Sequence, residues 1–229
     1  MVAFLPLGKS SPADDDGDMT TLSLPSTPIA AQALDFAASA EAAPIANHSV
    51  RSYLFACLLA NHLRMRPALD YDDELLFLAC VLHDIGLTEQ GNRRQRFEID
   101  GADLAAEFLI GKGLGRAETE TVWEAIALHS SSGIAERRGA VCRLTRGGVT
   151  MDFGADPAIV GDAEAQAIHA AYPRLGIATA ITDAIVTQAK ERPEKAPRYT
   201  LPGELARERA AAPHVTGLEA AALAGRWGA

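Results

Sequence analysis

Residues 75–84 read LLFLACVLHD, and this segment contains the strongest structural signal in the sequence. Eight consecutive apolar residues lie between Asp72, a good helix N-cap, and Gly86, a good helix stop, and so predict a buried helix. His83 and Asp84 follow this run, where a charged carboxylate is costly unless another group pairs with it. Adjacent helical residues point about 100° apart, so the pair is able to bind one metal ion between its side chains. The dipeptide by itself fits an exposed helix end equally well.

Two distant residues favour the metal interpretation. His48 lies near the start of a predicted helix, and Asp152 lies far downstream in an apolar neighbourhood. Together with His83 and Asp84 they supply two imidazoles and two carboxylates from three separate helices. This donor set suits one divalent ion such as zinc, iron or manganese, and it leaves room for water.

The rest of the chain predicts an all-α fold. Ala is abundant, only 6% of the residues are aromatic, and no alternating apolar pattern indicates a strand. Pro44 is expected to separate the first two helices. The predicted helices cover residues 29–42, 47–64, 72–86, 101–110, 117–129, 156–171, 175–190 and 201–210, with a shorter one at 134–144.

Composition also predicts the domain organisation. Residues 1–27 are rich in Ser and Pro and contain the acidic run DDDGD at 14–18, which predicts a flexible acidic leader. Residues 28–229 are expected to form a single helical domain that ends in a loosely attached helical tail.

Charge and cysteine content exclude several classes of protein. The 229 residues carry a formal net charge of -9 and are 48% hydrophobic, which excludes wholesale disorder and lacks the electrostatic signature of a nucleic-acid binder. No apolar stretch reaches the roughly 18 residues of a membrane span, and the N-terminus lacks a signal-peptide pattern. Cys57, Cys80 and Cys142 are an odd, widely spaced set, which predicts free thiols in a reducing cytoplasm. We expect a cytoplasmic protein with a small-molecule substrate and no nucleic-acid or membrane partner; a homo-oligomer is left open.

Several local strings carry a resemblance to a known family. Over residues 28–190 the chain resembles the HD-domain superfamily of metal-dependent helical hydrolases, whose motif is H…HD…D, and within it the cyanamide hydratase-like group. The matching strings are NHSVRSY at 47–53, HDIGL at 83–87, RFEIDGA at 96–102, WEAIALH at 123–129 and VTMDFGA at 149–155. The resemblance implies a helical bundle with a metal site at its centre. It also implies that His48, His83, Asp84 and Asp152 bind one metal ion, zinc.

The activity that the resemblance implies is hydration or hydrolysis of a small nitrile-like or amide-like molecule, with the metal activating water. The alternative is an HD-domain phosphohydrolase that acts on nucleotides or phosphomonoesters. Many phosphohydrolases carry Lys at the position of Leu87, and binuclear members have two further histidines where this chain has only His129. Both departures favour the hydratase with one metal. Arg93, Arg94 and Arg96 are the residues available for phosphate, although a solvated loop explains them as well. A helical binding module without turnover is a third reading.

Three further residues are candidates for catalysis. His129 ends an amphipathic helix, and its pKa range suits orientation of substrate or proton transfer, although a capping or core histidine is the alternative. Arg51 lies about one helical turn after His48, where it either binds substrate or neutralises the carboxylate of the His–Asp pair. Glu98 either acts in catalysis or merely stabilises a helix start. His62 is set aside because it lies roughly 21 Å from His48 along the same predicted helix. His169 and His214 are set aside because they lack partner spacing, and Cys80 is expected to pack in the core.

Overall fold

The computed structural model of the protein describes residues 23–228, and the expectations for residues 1–22 lie outside that range. The described residues form ten α-helices and no β-sheet, so the predicted all-α class is confirmed. None of these helices is long and apolar enough to cross a membrane. The helices are α1 (Pro28–Ala40), α2 (Ala43–His62), α3 (Asp73–Leu82), α4 (Phe97–Gly111), α5 (Arg116–Leu128), α6 (Ala140–Asp152), α7 (Asp162–Ala171), α8 (Ile177–Glu191), α9 (Leu201–Ala210) and α10 (Gly217–Ala224).

Each of the first two helices has a proline in its first turn. Thr27 caps α1, accepting a hydrogen bond from Ala30 N at 3.2 Å, and Pro28 is the first helical residue. Pro44, which was expected to separate the first two helices, lies in the first turn of α2. A helical N–H in that turn has no partner within the helix, so the missing N–H of proline costs no hydrogen bond. The break falls instead at Glu41 and Ala42, which have extended backbone. Helix α2 therefore starts four residues earlier than predicted, and His48 lies in its second turn.

Helix α3 is the centre of the bundle. Residues 75–82 are all buried, as the apolar run predicted, and they pack against α1, α2, α5 and α6. Asp72 caps the helix by accepting a hydrogen bond from Leu75 N at 3.0 Å. The helix ends at Leu82 rather than Gly86, because a 3₁₀ turn at Ile85–Leu87 follows His83 and Asp84. The His–Asp pair therefore lies in the turn that joins α3 to this 3₁₀ segment.

Glycines allow two close helix contacts that fix the bundle. A Cβ on Gly86 would lie 2.0 Å from the carbonyl oxygen of Phe97, so only glycine lets the start of α4 pack on the turn after Asp84. A Cβ on Gly148 would lie 2.0 Å from the carbonyl oxygen of Ser52, so α6 packs directly on the backbone of α2. Helix α6 covers Ala140–Asp152 instead of the predicted 134–144, and its last residue, Asp152, is therefore carried to the side of α2.

The C-terminal helices are docked on the bundle rather than loosely attached. A second hydrophobic cluster joins α8 and α9 to Ile45 of α2 and Phe97 of α4. Helix α10, absent from the sequence prediction, begins with a capping box formed by Thr216 and Glu219. Beyond it, Trp227 donates a hydrogen bond to the carbonyl of Met151 at 2.8 Å and stacks on Phe55. The C-terminus therefore packs against the end of α6.

The close approach of α2 and α6 leads to a testable expectation. Gly148→Ala places a methyl group against the Ser52 carbonyl, and overpacking of this kind costs about 1–3 kcal/mol. We expect the Tm to fall by roughly 3–10 °C in a thermal melt. Gly111→Ala is the control, because a Cβ there meets no atom within 4 Å and Ala favours the helix. Equal melting temperatures for the two variants would contradict the close contact.

Candidate metal centre

Three residues from two elements bring their side chains together at the centre of the bundle. Nε2 of His48 lies 3.2 Å from Nε2 of His83, and these atoms lie 3.9 and 3.1 Å from Oδ2 of Asp84. All three residues are fully buried. Ligand atoms about 2.0–2.1 Å from one tetrahedral zinc ion lie roughly 3.3 Å from each other. The group therefore has the dimensions of one face of a metal site.

The hydrogen bonds around this group determine which atoms face the centre. Nδ1 of His83 lies 2.7 Å from the carbonyl oxygen of Cys80, which only accepts, so Nδ1 carries the proton. Nδ1 of His48 likewise donates to Oδ2 of Asp152 at 2.6 Å. In the neutral rings both Nε2 atoms then present lone pairs to each other, and both oxygens of Asp84 lack a hydrogen bond. Buried acceptors that converge without a donor are unfavourable, and a cation between them removes the conflict.

The pKa values show the same demand for positive charge. Burial raises the pKa of Asp84, but the neighbouring His83 outweighs it and lowers the value to about 2. Burial lowers the pKa of His83, yet the charge of Asp84 outweighs it, so the pKa is raised overall. Burial also lowers the pKa of His48, which favours the neutral imidazole that a metal requires. The opposite shifts of His83 and Asp84 reflect their mutual attraction, which favours positive charge between them.

The structure does not bring Asp152 into this group. Its Oδ2 accepts hydrogen bonds from Nδ1 of His48 at 2.6 Å and from Nη2 of Arg51 at 2.7 Å. Its Oδ1 accepts from Nε of Arg51 at 2.8 Å and from Nη1 of Arg174 at 2.9 Å. Burial raises the pKa of Asp152, but His169, His48 and Arg51 beside it hold the value well below its usual range. Asp152 thus lies behind His48, where a carboxylate fixes the tautomer and orientation of a metal-binding imidazole. Arg51 neutralises this carboxylate, and not that of Asp84 as expected from sequence.

His129 lies on the opposite side of the group. It ends α5, its ring centroid is 4.8 Å from that of His83, and its Nε2 is 3.9 Å from Oδ1 of Asp84. Nδ1 donates to the carbonyl of Ile126 at 2.6 Å, so Nε2 presents a lone pair. Burial, reinforced by the nearby His83, lowers the pKa of His129 to about 3. Its side chain is 4% exposed, whereas the side chains of His48, His83 and Asp84 are fully buried.

Glu98 joins the same side of the site. It lies in the first turn of α4, which has no side-chain cap, and it is fully buried. One oxygen accepts hydrogen bonds from Oγ of Ser130 at 2.6 Å and from Nη2 of Arg96 at 3.1 Å, while Oε2 lacks a partner. Ser130 follows His129 in the chain, so this hydrogen bond ties Glu98 to the end of α5. Oε2 is buried and has unused capacity to accept a hydrogen bond.

Other residues near the site were missed by sequence reasoning. His169, set aside for lack of a partner, has its Nε2 3.9 Å from Oδ1 of Asp152. Arg174 belongs to no motif. Glu41 is buried beside Ser49, and burial, together with the charge of Asp84, raises its pKa well above the ordinary value. Only the folded chain reveals these contacts, since the residues come from loops and helix ends distant in sequence. His62 and His214 are exposed, in agreement with their exclusion.

The three arginines proposed for phosphate do not form a cluster at the site. Arg93 makes a two-bond ion pair with Glu107, Arg94 is exposed, and Arg96 bonds to Glu98. Two surface cavities of about 410 and 370 Å³ are lined by residues of the C-terminal helices and of the α2–α6 region, and neither includes a residue of the buried group. These two cavities therefore lie apart from the buried group of His48, His83 and Asp84.

Comparison with known proteins agrees with this geometry. The HD domain family model matches residues 45–171, which include His48, His83, Asp84, His129 and Asp152. Two curated relatives, the cyanamide hydratases DDI2 and DDI3 of Saccharomyces cerevisiae, are each 26% identical over 166 residues, covering 69% of this chain and 72% of theirs. The family match covers more than half of the chain and all of the residues that build the centre. The chain therefore belongs to the HD domain family and is a metal-dependent hydrolase or hydratase.

Proposed function

We propose that this protein is a zinc-dependent hydratase that adds water to a small nitrile-like or amide-like molecule of the size of cyanamide. The main support for the proposal is that the Nε2 atoms of His48 and His83 and the unpaired carboxylate of Asp84 converge in a buried site. Two nitrogens and one oxygen suit zinc and leave a fourth position for water. Iron and manganese are the other divalent ions that this donor set accepts.

Different side chains have different roles in the proposed hydration. His48, His83 and Asp84 would hold the zinc ion, which would supply Lewis acidity that lowers the pKa of water toward neutrality. Addition of water to the nitrile forms a C–O bond, breaks one C–N π bond and moves one proton from the water to the nitrogen, which gives an imidic acid. A second proton then moves from the oxygen to the nitrogen to give the amide. His129 is our candidate for passing on that proton, because its Nε2 lone pair lies 3.9 Å from Oδ1 of Asp84. With a pKa lowered to about 3 it is a weak base, so the proton is passed on rather than retained. The free oxygen of Glu98 is suited to accept a hydrogen bond from an N–H group of the substrate.

The resemblance includes Asp152 among the metal ligands. In this proposal Asp152 instead orients the imidazole ring of His48. A carboxylate that accepts from Nδ1 of a metal-binding histidine orients the ring and increases its basicity. Arg51 secures that carboxylate with two hydrogen bonds. We therefore assign His48, His83 and Asp84 to the metal and Asp152 and Arg51 to its support.

The enclosed site favours a small substrate over a nucleotide. His48, His83 and Asp84 are fully buried, and the side chain of His129 is only 4% exposed, which favours a substrate of few atoms. A phosphate ester carries at least one negative charge and needs cations, yet Leu87 is apolar, Arg93 is paired with Glu107, and Arg96 is paired with Glu98. These features support a neutral molecule of few atoms.

The free thiols support a reducing compartment. Cys57, Cys80 and Cys142 form no disulfide, and burial raises the pKa of each, to about 12 for Cys57 and Cys142. Such thiols are inert and persist where disulfides are rare. We place the enzyme in the cytoplasm, with a small-molecule substrate and no nucleic-acid or membrane partner.

Metal analysis tests the ligand assignment. The purified protein is expected to contain about one zinc ion per chain, and His83→Ala and Asp84→Asn are each expected to lose the ion and all measurable turnover. His62→Ala serves as the control, because His62 is exposed at the end of the same helix as His48. Asp152→Asn should retain the metal with about 10–100-fold lower affinity, the usual loss for an orienting carboxylate. Loss of metal from Asp152→Asn as complete as from Asp84→Asn would make Asp152 a direct ligand.

A substitution of His129 separates catalysis from metal binding. We expect His129→Ala to keep the zinc ion and to lower kcat by about 10²–10⁴-fold, the usual contribution of one positioned acid–base group. Metal content and kcat are measured on the same preparation, with His214→Ala as an exposed control. Release of the metal would instead make His129 a ligand, and an unchanged kcat per folded molecule would make it a core residue.

A substrate panel tests the reaction itself. The zinc-loaded protein is expected to convert cyanamide or another small nitrile into the corresponding amide, with turnover lost in His83→Ala. Nucleoside monophosphates and generic phosphate esters form the comparison arm. Hydrolysis of phosphate esters without hydration of any nitrile would replace the proposed activity with the phosphohydrolase alternative.

A further inference from the structure

The carboxylate behind His48 is held by two arginines from different parts of the chain. Arg51 comes from α2, whereas Arg174 comes from the loop between α7 and α8. Nη1 of Arg174 donates to Oδ1 of Asp152 at 2.9 Å and to its backbone carbonyl at 2.8 Å. These contacts fix both the side chain and the backbone of the residue that ends α6. Charge balance alone does not require a second arginine, because Arg51 already neutralises the single carboxylate.

Arg174 is in turn held by the C-terminus. Its Nε donates to the carbonyl of Gly228 at 3.1 Å, and its side chain is only 7% exposed. Trp227 supports this contact, because its indole donates to the carbonyl of Met151 and its ring lies 5.5 Å from that of His169. Arg226 donates to the carbonyl of Val160 at 2.6 Å. Residues 226–228 are therefore anchored to the segment that surrounds Asp152.

The same loop also contacts α2 directly. Nη1 of Arg51 donates to the carbonyls of Tyr172 and Pro173 at 3.0 and 3.1 Å, and Asn47 donates to Pro173 at 2.8 Å. His48 lies between Asn47 and the turn that carries Arg51. Residues 172–174 thus bridge the helix that carries His48 and the helix end that carries Asp152.

We propose that Arg174, fixed by the C-terminal segment 226–228, is a positioning residue of the metal centre. It acts through Asp152, whose two oxygens are oriented so that Oδ2 meets Nδ1 of His48 at 2.6 Å and directs Nε2 of that ring toward the centre. Loss of Arg174 removes one of the two arginine donors to Oδ1 and the side-chain donor to the backbone carbonyl of Asp152. Arg51 alone then holds the carboxylate, and the end of α6 loses its anchor to the loop, so His48 is held less firmly in one orientation.

This inference rests on the proposed metal site, and metal affinity tests it without any substrate. Apo-protein is titrated with Zn²⁺ against a chelator, and with Co²⁺, whose visible absorption reports the ligand geometry. Arg174→Met is expected to bind Zn²⁺ about 10–100-fold more weakly and to show a changed Co²⁺ spectrum. Arg174→Lys, which keeps one donor for Asp152, is expected to recover part of the affinity.

The matched control is Arg209→Met. Arg209 also joins C-terminal helices, through Asp183, Glu219 and the carbonyl of His214, but it contacts no residue of the metal centre. The Arg209→Met variant is expected to be less stable than the wild type but to have the same metal affinity and the same Co²⁺ spectrum. Wild-type affinity in Arg174→Met, or an equal loss in both variants, would overturn the proposal.

Deletion of residues 226–229 tests the role of the C-terminus and covers the case in which Arg174→Met does not fold. The deletion is expected to weaken metal binding in the wild-type background but to cause no further loss in Arg174→Lys or Arg174→Met, because both changes act through one contact. Unchanged affinity after the deletion, or additive losses, would count against the C-terminal anchor. If the unaltered protein binds no metal, the proposed function fails; if it binds and the variants match it, only this inference fails.

Discussion

The structure depends on two hydrogen bonds that determine which nitrogen of each buried histidine carries a proton. Cys80 and Asp152 each accept from Nδ1, of His83 and His48 respectively, so the Nε2 lone pairs of both rings face each other beside Asp84. Three acceptors without a donor are costly in a site of low dielectric constant. A divalent cation would satisfy all three at once, which gives a physical reason for these polar side chains at the centre of an apolar bundle.

Two glycine contacts place these side chains at the required separation. Gly148 lets α6 approach the backbone of α2, so that Asp152 reaches the far side of the His48 ring. Gly86 lets α4 pack against the turn that follows Asp84, and the same packing carries Glu98 to the side of the site near His129. The chemistry of the centre is therefore coupled to the tightness of helix packing. A methyl group at either glycine would displace a helix that contributes a functional side chain.

Sequence reasoning identified the all-α class and the residues of the centre, because an apolar run that ends in His–Asp is a local signal. It did not locate Asp152 relative to the metal, since that position depends on the close contact of two helices. Pro44 was interpreted as a break although it starts α2, and Gly147 and Gly148 concealed the helix that Asp152 ends. Arg174, His169 and Glu41 carry no motif, and only tertiary contacts bring them to the site. Local patterns thus predict which residues converge at the centre, while long-range packing determines which residues support them.

The two carboxylates near His48 have opposite environments, and this difference assigns their roles. Asp152 is surrounded by two arginines and a histidine N–H, so its lone pairs are already used and its charge is compensated. Among the described residues, neither oxygen of Asp84 has a hydrogen-bond partner and no arginine contacts it. Despite its burial, the nearby imidazoles lower its pKa to about 2, so its charge is available to a cation. If the arginines lay beside Asp84 instead, the site would attract anions and exclude a metal. The separation of the paired carboxylate from the unpaired one, by the width of a single imidazole ring, is therefore what makes the centre of this bundle a cation site.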